Sequence, residues 1–178
     1  MKKELCVKSQ SIETSGITKD YKEALCEYIW NGFEANAMNV SVTFTINSLG
    51  GIESVIIQDD GDGICLETID DTFGTFLASN KNGLSLQLKS KANKGKGRFS
   101  CYAFARRATW ETVANSSGKK VAYSISINAE NKNVYDISEP TPIDADTGTV
   151  VTITGIDNLH QEDMSYEVLA ECLLKTFA

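Results

Sequence analysis

Five consecutive residues, Asp59-Asp60-Gly61-Asp62-Gly63, constrain this chain more than any others. They follow the β-branched run from Ile52 to Gln58, so three acids and two glycines fall in a turn where a strand ends. A calcium loop is the first reading of such a pattern, and its register fails. With Gly63 at the loop's sixth position the first and twelfth positions fall on Gln58 and Ile69, and with Gly61 there the first falls on Ile56, where carboxylate ligands are required. The other reading is that the glycines let the backbone approach a ligand closely while the strand-end carboxylate of Asp59 accepts a hydrogen bond from it.

The surrounding chain reads as helices and strands of modest length. From Thr18 to Ala37 the apolar Tyr21, Leu25, Tyr28, Ile29 and Phe33 recur at helical spacing, with Thr18 as the N-cap. Val40, Val42, Phe44 and Ile46 alternate with polar residues, and Asn47-Ser48-Leu49-Gly50-Gly51 joins them to the Ile52 run as an antiparallel hairpin. A short helix is expected around Leu66 to Phe73. The Ser, Lys, Asn and Gly-rich stretch from Gly74 to Gly97 has little period, and loops of that length in a compact domain are functional lids or disordered segments. A helix over Arg98 to Arg107 follows, then strands near Thr109 to Val113, Val121 to Ile127 and Thr147 to Thr154, and a closing helix from about Glu162 to Thr176. This order predicts an α+β fold, with helices on one face of a mixed sheet. With no internal repeat and no linker, residues 1–178 are expected to form one domain.

At 178 residues and 42% hydrophobic, the chain can bury a core without metal or disulfide. Its longest apolar runs, such as Tyr102-Ala103-Phe104-Ala105, fall far short of the roughly 20 residues that cross a bilayer, so no membrane partner is expected. The basic N-terminus has no apolar stretch behind it and does not read as a secretory signal. The five cysteines, at 6, 26, 65, 101 and 172, never form CxxC and lie too far apart for a compact zinc site. They read as reduced thiols of a cytoplasmic protein.

A net charge of −7 argues against a surface that coats nucleic acid, but the charge is uneven. Between Thr72 and Trp110 there is no acid, while Lys81, Lys89, Lys91, Lys94, Lys96, Arg98, Arg106 and Arg107 give +8 and leave −15 on the remainder. That segment is either a solvated basic face or a site for a polyanion such as a nucleotide triphosphate.

Two further patterns carry chemistry. On the first helix, spacings of four and three place Glu27, Asn31 and Glu34 on one stripe, which is either the solvent face or a functional edge. Lys94-Gly95-Lys96-Gly97-Arg98-Phe99-Ser100 is a glycine-rich turn opening a helix, where free amides and nearby cations suit phosphate. It is neither a P-loop nor a dinucleotide turn, since Ser100 stands where the last glycine would be.

In this order the three patterns resemble the Bergerat-fold (GHKL) ATPases, the superfamily of gyrase B subunits, ninety-kilodalton heat-shock chaperones, sensor histidine kinases and MutL proteins. E-x-x-x-N-x-x-E-A from Glu27 to Ala35 is similar to the helix-borne box, and D-x-G-x-G from Asp59 to Gly63, followed by Ile64, to the adenine-binding turn. Gly95-Lys96-Gly97-Arg98-Phe99 resembles the hinge that ends the ATP lid. Ala78-Ser79-Asn80-Lys81 resembles, with looser spacing, the step at the lid's start, and Gly148-Thr149-Val150-Val151 the late Gly-Thr strand. The likeness spans about Thr18 to Thr154.

The resemblance implies a two-layer α/β sandwich, its sheet mixed but mostly antiparallel, with helices on one face and a flexible ATP lid at about 74–97. It implies that Asp59 binds the adenine amino group with support from Thr149, that Gly63 leaves room for the base beside Gly61 and Ile64, and that Asn31 holds magnesium. Gly95, Gly97 and Phe99 would offer amides to the phosphates, with Ser79, Lys81, Lys94, Lys96 and Arg98 near them. Glu27 would be the general base for water attack on the γ-phosphate, with Glu34 and Ala35 beside it, which favours hydrolysis over phosphotransfer. A Lys or Arg from a following domain completes many relatives, so the chain is expected to be the N-terminal module of a longer protein. ATP and ADP would be its ligands, an ATP-dependent homodimer would belong to that longer protein, turnover in isolation would be slow, and nucleic acid would be reached only through the missing regions. A nucleotide-sensing module that never hydrolyses, and a histidine-kinase-type phosphotransferase, are the alternatives.

Overall fold

The computed structural model describes residues 1–4, 20–73, 97–132 and 134–177. The first long helix, α1 (Tyr21–Glu34), is capped by Asp20, whose side chain accepts from the Lys22 amide at 2.8 Å. Thr18, expected as the cap, lies outside the described residues. At the other end Asn36 adopts a left-handed φ of 63°, the Ala37 amide bonds back to the Gly32 carbonyl, and the Asn36 amide bonds to that of Phe33. This is the Schellman arrangement, with asparagine in the position glycine more often fills.

The sheet has eight strands among the described residues: β1 (Lys2–Glu4), β2 (Val40–Ile46), β3 (Ile52–Asp59), β4 (Arg107–Ser116), β5 (Lys119–Asn128), β6 (Val134–Ile137), β7 (Thr141–Pro142) and β8 (Gly148–Thr154). They lie in the order β1-β6-β5-β4-β8-β3-β2, with β7 on β5, and every described pairing is antiparallel. Among the described residues the sheet is therefore antiparallel, and with its helices it forms the mostly antiparallel α+β sandwich expected.

Register explains the core. Val55, Ile153, Ala108 and Ile127 form one row across β3, β8, β4 and β5, and Ile57, Val151, Trp110 and Ile125 form the next; all are buried. Alternate residues, among them Gln58, Thr152, Thr109 and Ser126, point to the opposite face and are half-buried or exposed. The apolar face is covered by α1, a 3-10 turn at Gly97–Ala103, and the helix pair α2 (Ile69–Phe73) and α3 (Tyr166–Phe177). Trp110 centres the packing, with the Phe73 ring edge-on at 5.0 Å and Tyr28 at 6.0 Å. Each such aromatic contributes about 1.5–3 kcal/mol by leaving water.

The structure departs from the sequence pattern in several places. The helix expected over Arg98 to Arg107 is the shorter 3-10 turn, because the Arg106 amide is captured by the Thr154 and Gly155 carbonyls and Arg107 already belongs to β4. The closing helix is preceded by a separate 3-10 turn at Gln161–Met164, where the Asp163 carboxylate accepts from the His160 amide at 2.9 Å. Phe33, counted on the apolar stripe, is 45% exposed and packs edge-on against Trp30. Strands β1, β6 and β7, of three, four and two residues, had no period long enough to read. No helix among the described residues is long and apolar enough to cross a membrane.

Candidate functional site

The stripe on α1 is not a solvent face. Glu27 is buried, Glu34 half-buried, and only Asn31 is exposed. The 3-10 turn explains this, because its first residue, Gly97, comes down on the stripe. A Cβ there would lie 3.0 Å from Glu27 Oε2 and 3.7 Å from Asn31 Nδ2. The turn is held by two side chains. Tyr28 donates to the Arg98 carbonyl at 2.8 Å and receives the Cys101 amide at 3.4 Å. The buried Ser100 hydroxyl is shared between the Gly97 carbonyl at 2.6 Å and the Ala24 carbonyl at 3.1 Å.

Asp59 ends β3 beneath the same helix. Gly32 makes that approach feasible, since a Cβ on it would stand 3.0 Å from Asp59 Cβ and 2.9 Å from Val40 Cγ2. Asp59 Oδ1 accepts from the Gly61 amide at 3.0 Å. Burial pushes its carboxyl above the ordinary aspartate value, and the Gly61 and Thr149 amides partly offset that rise. Across the sheet, Asp59 pairs with Thr149, Thr149 with Thr112, and Thr112 with Tyr123, a polar row continuing the apolar rows of the core. Thr112 and Thr149 are both buried, their hydroxyls 3.1 Å apart.

The glycines of the turn answer to the chain's own packing. A Cβ on Gly61 would lie 2.5 Å from the Ala35 carbonyl, and one on Gly63, whose φ is +74°, 2.1 Å from that of Val113. The direction expected to make room for a base at Gly63 is therefore filled by β4. Asp60 and Asp62, the unspecified positions of D-x-G-x-G, tie the turn to the end of α1. Asp60 Oδ1 accepts from the Met38 and Asn39 amides at 2.8 Å, and its Oδ2 from Asn39 Nδ2 at 2.7 Å, which holds the carboxyl below its usual value. Asp62 accepts from Asn36 Nδ2 at 2.5 Å, while its amide donates to the Ala35 carbonyl at 2.7 Å. The Ile64 peptide is gripped on both sides: its amide donates to Thr112 Oγ1 at 2.9 Å and its carbonyl accepts from Tyr123.

The structure thus brings together Glu27, Asn31 and Gly97 at one end, and Asp59, Gly61, Thr149 and the Gly63–Ile64 turn at the other, with Gly32 between. Arg98 and Phe99 send their side chains elsewhere. The Phe99 ring is fully buried, and the Arg98 guanidinium lies 4.8 Å from its centre and 5.8 Å from that of Phe73, where burial lowers it to about 10. Its expected place beside phosphate is taken by this aromatic contact. Ser79, Lys81, Lys94, Gly95 and Lys96 lie outside the described residues. Among the described residues no cluster of three or more His, Cys, Asp or Glu could hold a metal ion by itself. A groove of about 590 Å³ opens on the opposite sheet face, lined by Gln58, Glu111, Val150 and Ser124 together with edges of the polar row; Glu27 and Asn31 take no part in it.

Sequence reasoning missed Thr112, Tyr123, Tyr28, Ser100 and Gly32. Only Gly32 carried a signal, because glycine inside a helix costs about 1 kcal/mol relative to alanine and implies a close approach.

Residues 18–160 match a family model described as histidine kinase-, DNA gyrase B-, and HSP90-like ATPase. No curated protein matches the chain significantly.

Proposed function

This chain belongs to the histidine kinase-, DNA gyrase B-, and HSP90-like ATPase family, and from that premise we propose that it binds Mg-ATP and hydrolyses it slowly, using the nucleotide as a conformational or dimerisation switch. The observation that carries the reading is the convergence of Glu27, Asn31 and Gly97 at one end of a site whose other end is Asp59 paired with Thr149.

Asp59, ionised, accepts from the adenine amino group, and Thr149 flanks it. Gly97 lines the phosphate end, since its missing Cβ leaves backbone open beside Glu27 and Asn31. The donor set fits magnesium: Asn31 is exposed and offers a hard amide oxygen next to a carboxylate, and a magnesium site of this kind takes its other ligands from water and phosphate. Asn31 would hold the ion, which would supply charge neutralisation on the phosphate oxygens. Glu27, buried one turn before Asn31, takes the proton of a water aligned with the γ-phosphate. A buried carboxylate with an exposed neighbour one turn away places the base inside and the ligand end outside.

Titration calorimetry with Mg-ATP tests binding, with Asp59→Asn as control. Saturable binding by the intact chain that disappears in the variant is expected; equal binding by both would remove Asp59 from the adenine role. Glu27→Ala separates hydrolysis from sensing. It should lower turnover by about a hundredfold or more while sparing affinity, whereas an intact chain that binds without turnover would make this a sensing module.

A further inference from the structure

We propose that Thr112 fixes the direction of the Thr149 hydroxyl, so that the base-reading end of the site presents only acceptors and selects a base that donates from its six-position. The inference rests on the ATP reading and adds the residue that sets base selectivity.

Thr112 is buried on β4, and its hydroxyl has three neighbours: the Ile64 amide at 2.9 Å, the Gly148 carbonyl at 3.1 Å and Thr149 Oγ1 at 3.1 Å. A threonine hydroxyl has one proton and two lone pairs. The Ile64 amide can only donate, so it takes one lone pair. The Gly148 carbonyl can only accept, so it takes the proton. One lone pair remains for Thr149, whose hydroxyl must therefore donate to Thr112.

The consequence falls on Thr149. With its proton committed backwards, it has only lone pairs left for anything in front of it. Its neighbour in the row, Asp59, is an acceptor as well, with Oδ1 engaged by the Gly61 amide. Two adjacent groups that can only accept suit an exocyclic amino group, as on adenine. A six-oxo purine would set its carbonyl oxygen against lone pairs, leaving buried acceptors unsatisfied. Were the Thr112 proton given to Thr149 instead, the Gly148 carbonyl would lose the Thr112 hydrogen bond and the Thr149 proton could satisfy an oxo group, erasing the discrimination.

The test compares ATP with inosine triphosphate, which differs in carrying a six-oxo group, by calorimetric titration of the purified chain and of Thr112→Val, Thr112→Ser and Thr149→Val. The wild type should prefer ATP. Thr112→Val frees the Thr149 proton and should cut the ATP-to-inosine-triphosphate affinity ratio by roughly three- to tenfold, the worth of one hydrogen bond. Thr112→Ser, which keeps the hydroxyl, should hold the wild-type ratio, and Thr149→Val should lower it as Thr112→Val does. A loss of packing alone would weaken both nucleotides together and leave the ratio in place. If Thr112→Val does not fold, Thr149→Val and Thr112→Ser decide. Ratios unchanged in the valine variants of a chain that binds ATP overturn this inference alone, while a wild type that binds neither nucleotide overturns the ATP reading and this inference with it.

Discussion

Asp59 stands directly opposite Thr149 across β3 and β8, on the face of the sheet that α1 covers, and Gly32 is the residue that lets the helix come down on the pair. A polar pair is thus placed where the apolar rows of the core would otherwise continue. A carboxylate there is costly to the empty protein, and that cost has a sign that can be measured.

Burial raises the Asp59 carboxyl in the folded chain above its unfolded value. A group shifted in this direction contributes stability below its unfolded pKa and loses it as pH rises through the folded pKa. Ionised Asp59 therefore weakens the empty fold at neutral pH. Asp59→Asn should raise the thermal midpoint at pH 7 while abolishing ATP binding, and the gain should shrink as pH falls into the carboxylate range. Differential scanning calorimetry of both proteins across that range checks it; a lower midpoint for the variant at pH 7 would contradict the assignment.

Gly97 carries the second prediction. Its missing Cβ would sit 3.0 Å from Glu27 Oε2, tighter than ordinary contact, and 3.7 Å from Asn31 Nδ2. The nearest atom is the end of a side chain, so the fold can yield where the site cannot. Gly97→Ala should change the thermal midpoint by no more than about 2 °C, a cost near 0.5 kcal/mol, and lower ATP turnover by roughly tenfold or more through displacement of Glu27. Steady-state phosphate release with a parallel melting curve reads both, and normal turnover would show that Glu27 has room to spare.

Gly63 should behave in the opposite way. An added Cβ meets the Val113 carbonyl, and the positive φ adds strain, so both penalties fall on the fold. Gly63→Ala should destabilise by roughly 2–4 kcal/mol, read from the urea midpoint. A loss below about 1 kcal/mol would mean that β4 and the turn separate easily.

How much of this was legible depended on the length of the pattern behind each feature. α1 carries nearly four turns of period and each strand of the β2–β3 hairpin at least seven residues, and their sequence readings agree with the structure to within a few residues. β7 has two residues, one of them proline, and no period to show. Among the candidate residues, Glu27, Asn31 and Asp59 stand out in the sequence because residue type and spacing both point at them. Thr112 does not. It lies in a strand that also holds Thr109, on the other face and half-buried, and nothing in the sequence says which of the two hydroxyls turns inward. Register decides that, and register comes from Trp110 and Ala108 needing the core. The side chain of Arg98 is hard to place for a related reason: a cation beside glycines suggests phosphate, while the neighbouring Phe99 belongs to the core and carries the arginine toward Phe73.

Tyr28 holds one end of the site together, because it follows Glu27 on α1 while its hydroxyl holds the backbone of the turn that begins at Gly97. Tyr28→Phe keeps the ring against Trp110 and removes one donor and one acceptor. The Arg98 carbonyl loses its partner in a part-buried place, so a loss of about 1–2 kcal/mol is expected. The catalytic effect should be separable from that loss. With the turn freed from the helix, Gly97 no longer keeps its place beside Glu27 and Asn31, so turnover should fall further than ATP affinity, whose proposed base end at Asp59 and Thr149 is untouched. Urea unfolding, calorimetric affinity and phosphate release on the same variant give the three numbers. A fall in affinity as large as the fall in turnover would mean that the two ends of the site are one rigid unit, coupled through Gly32.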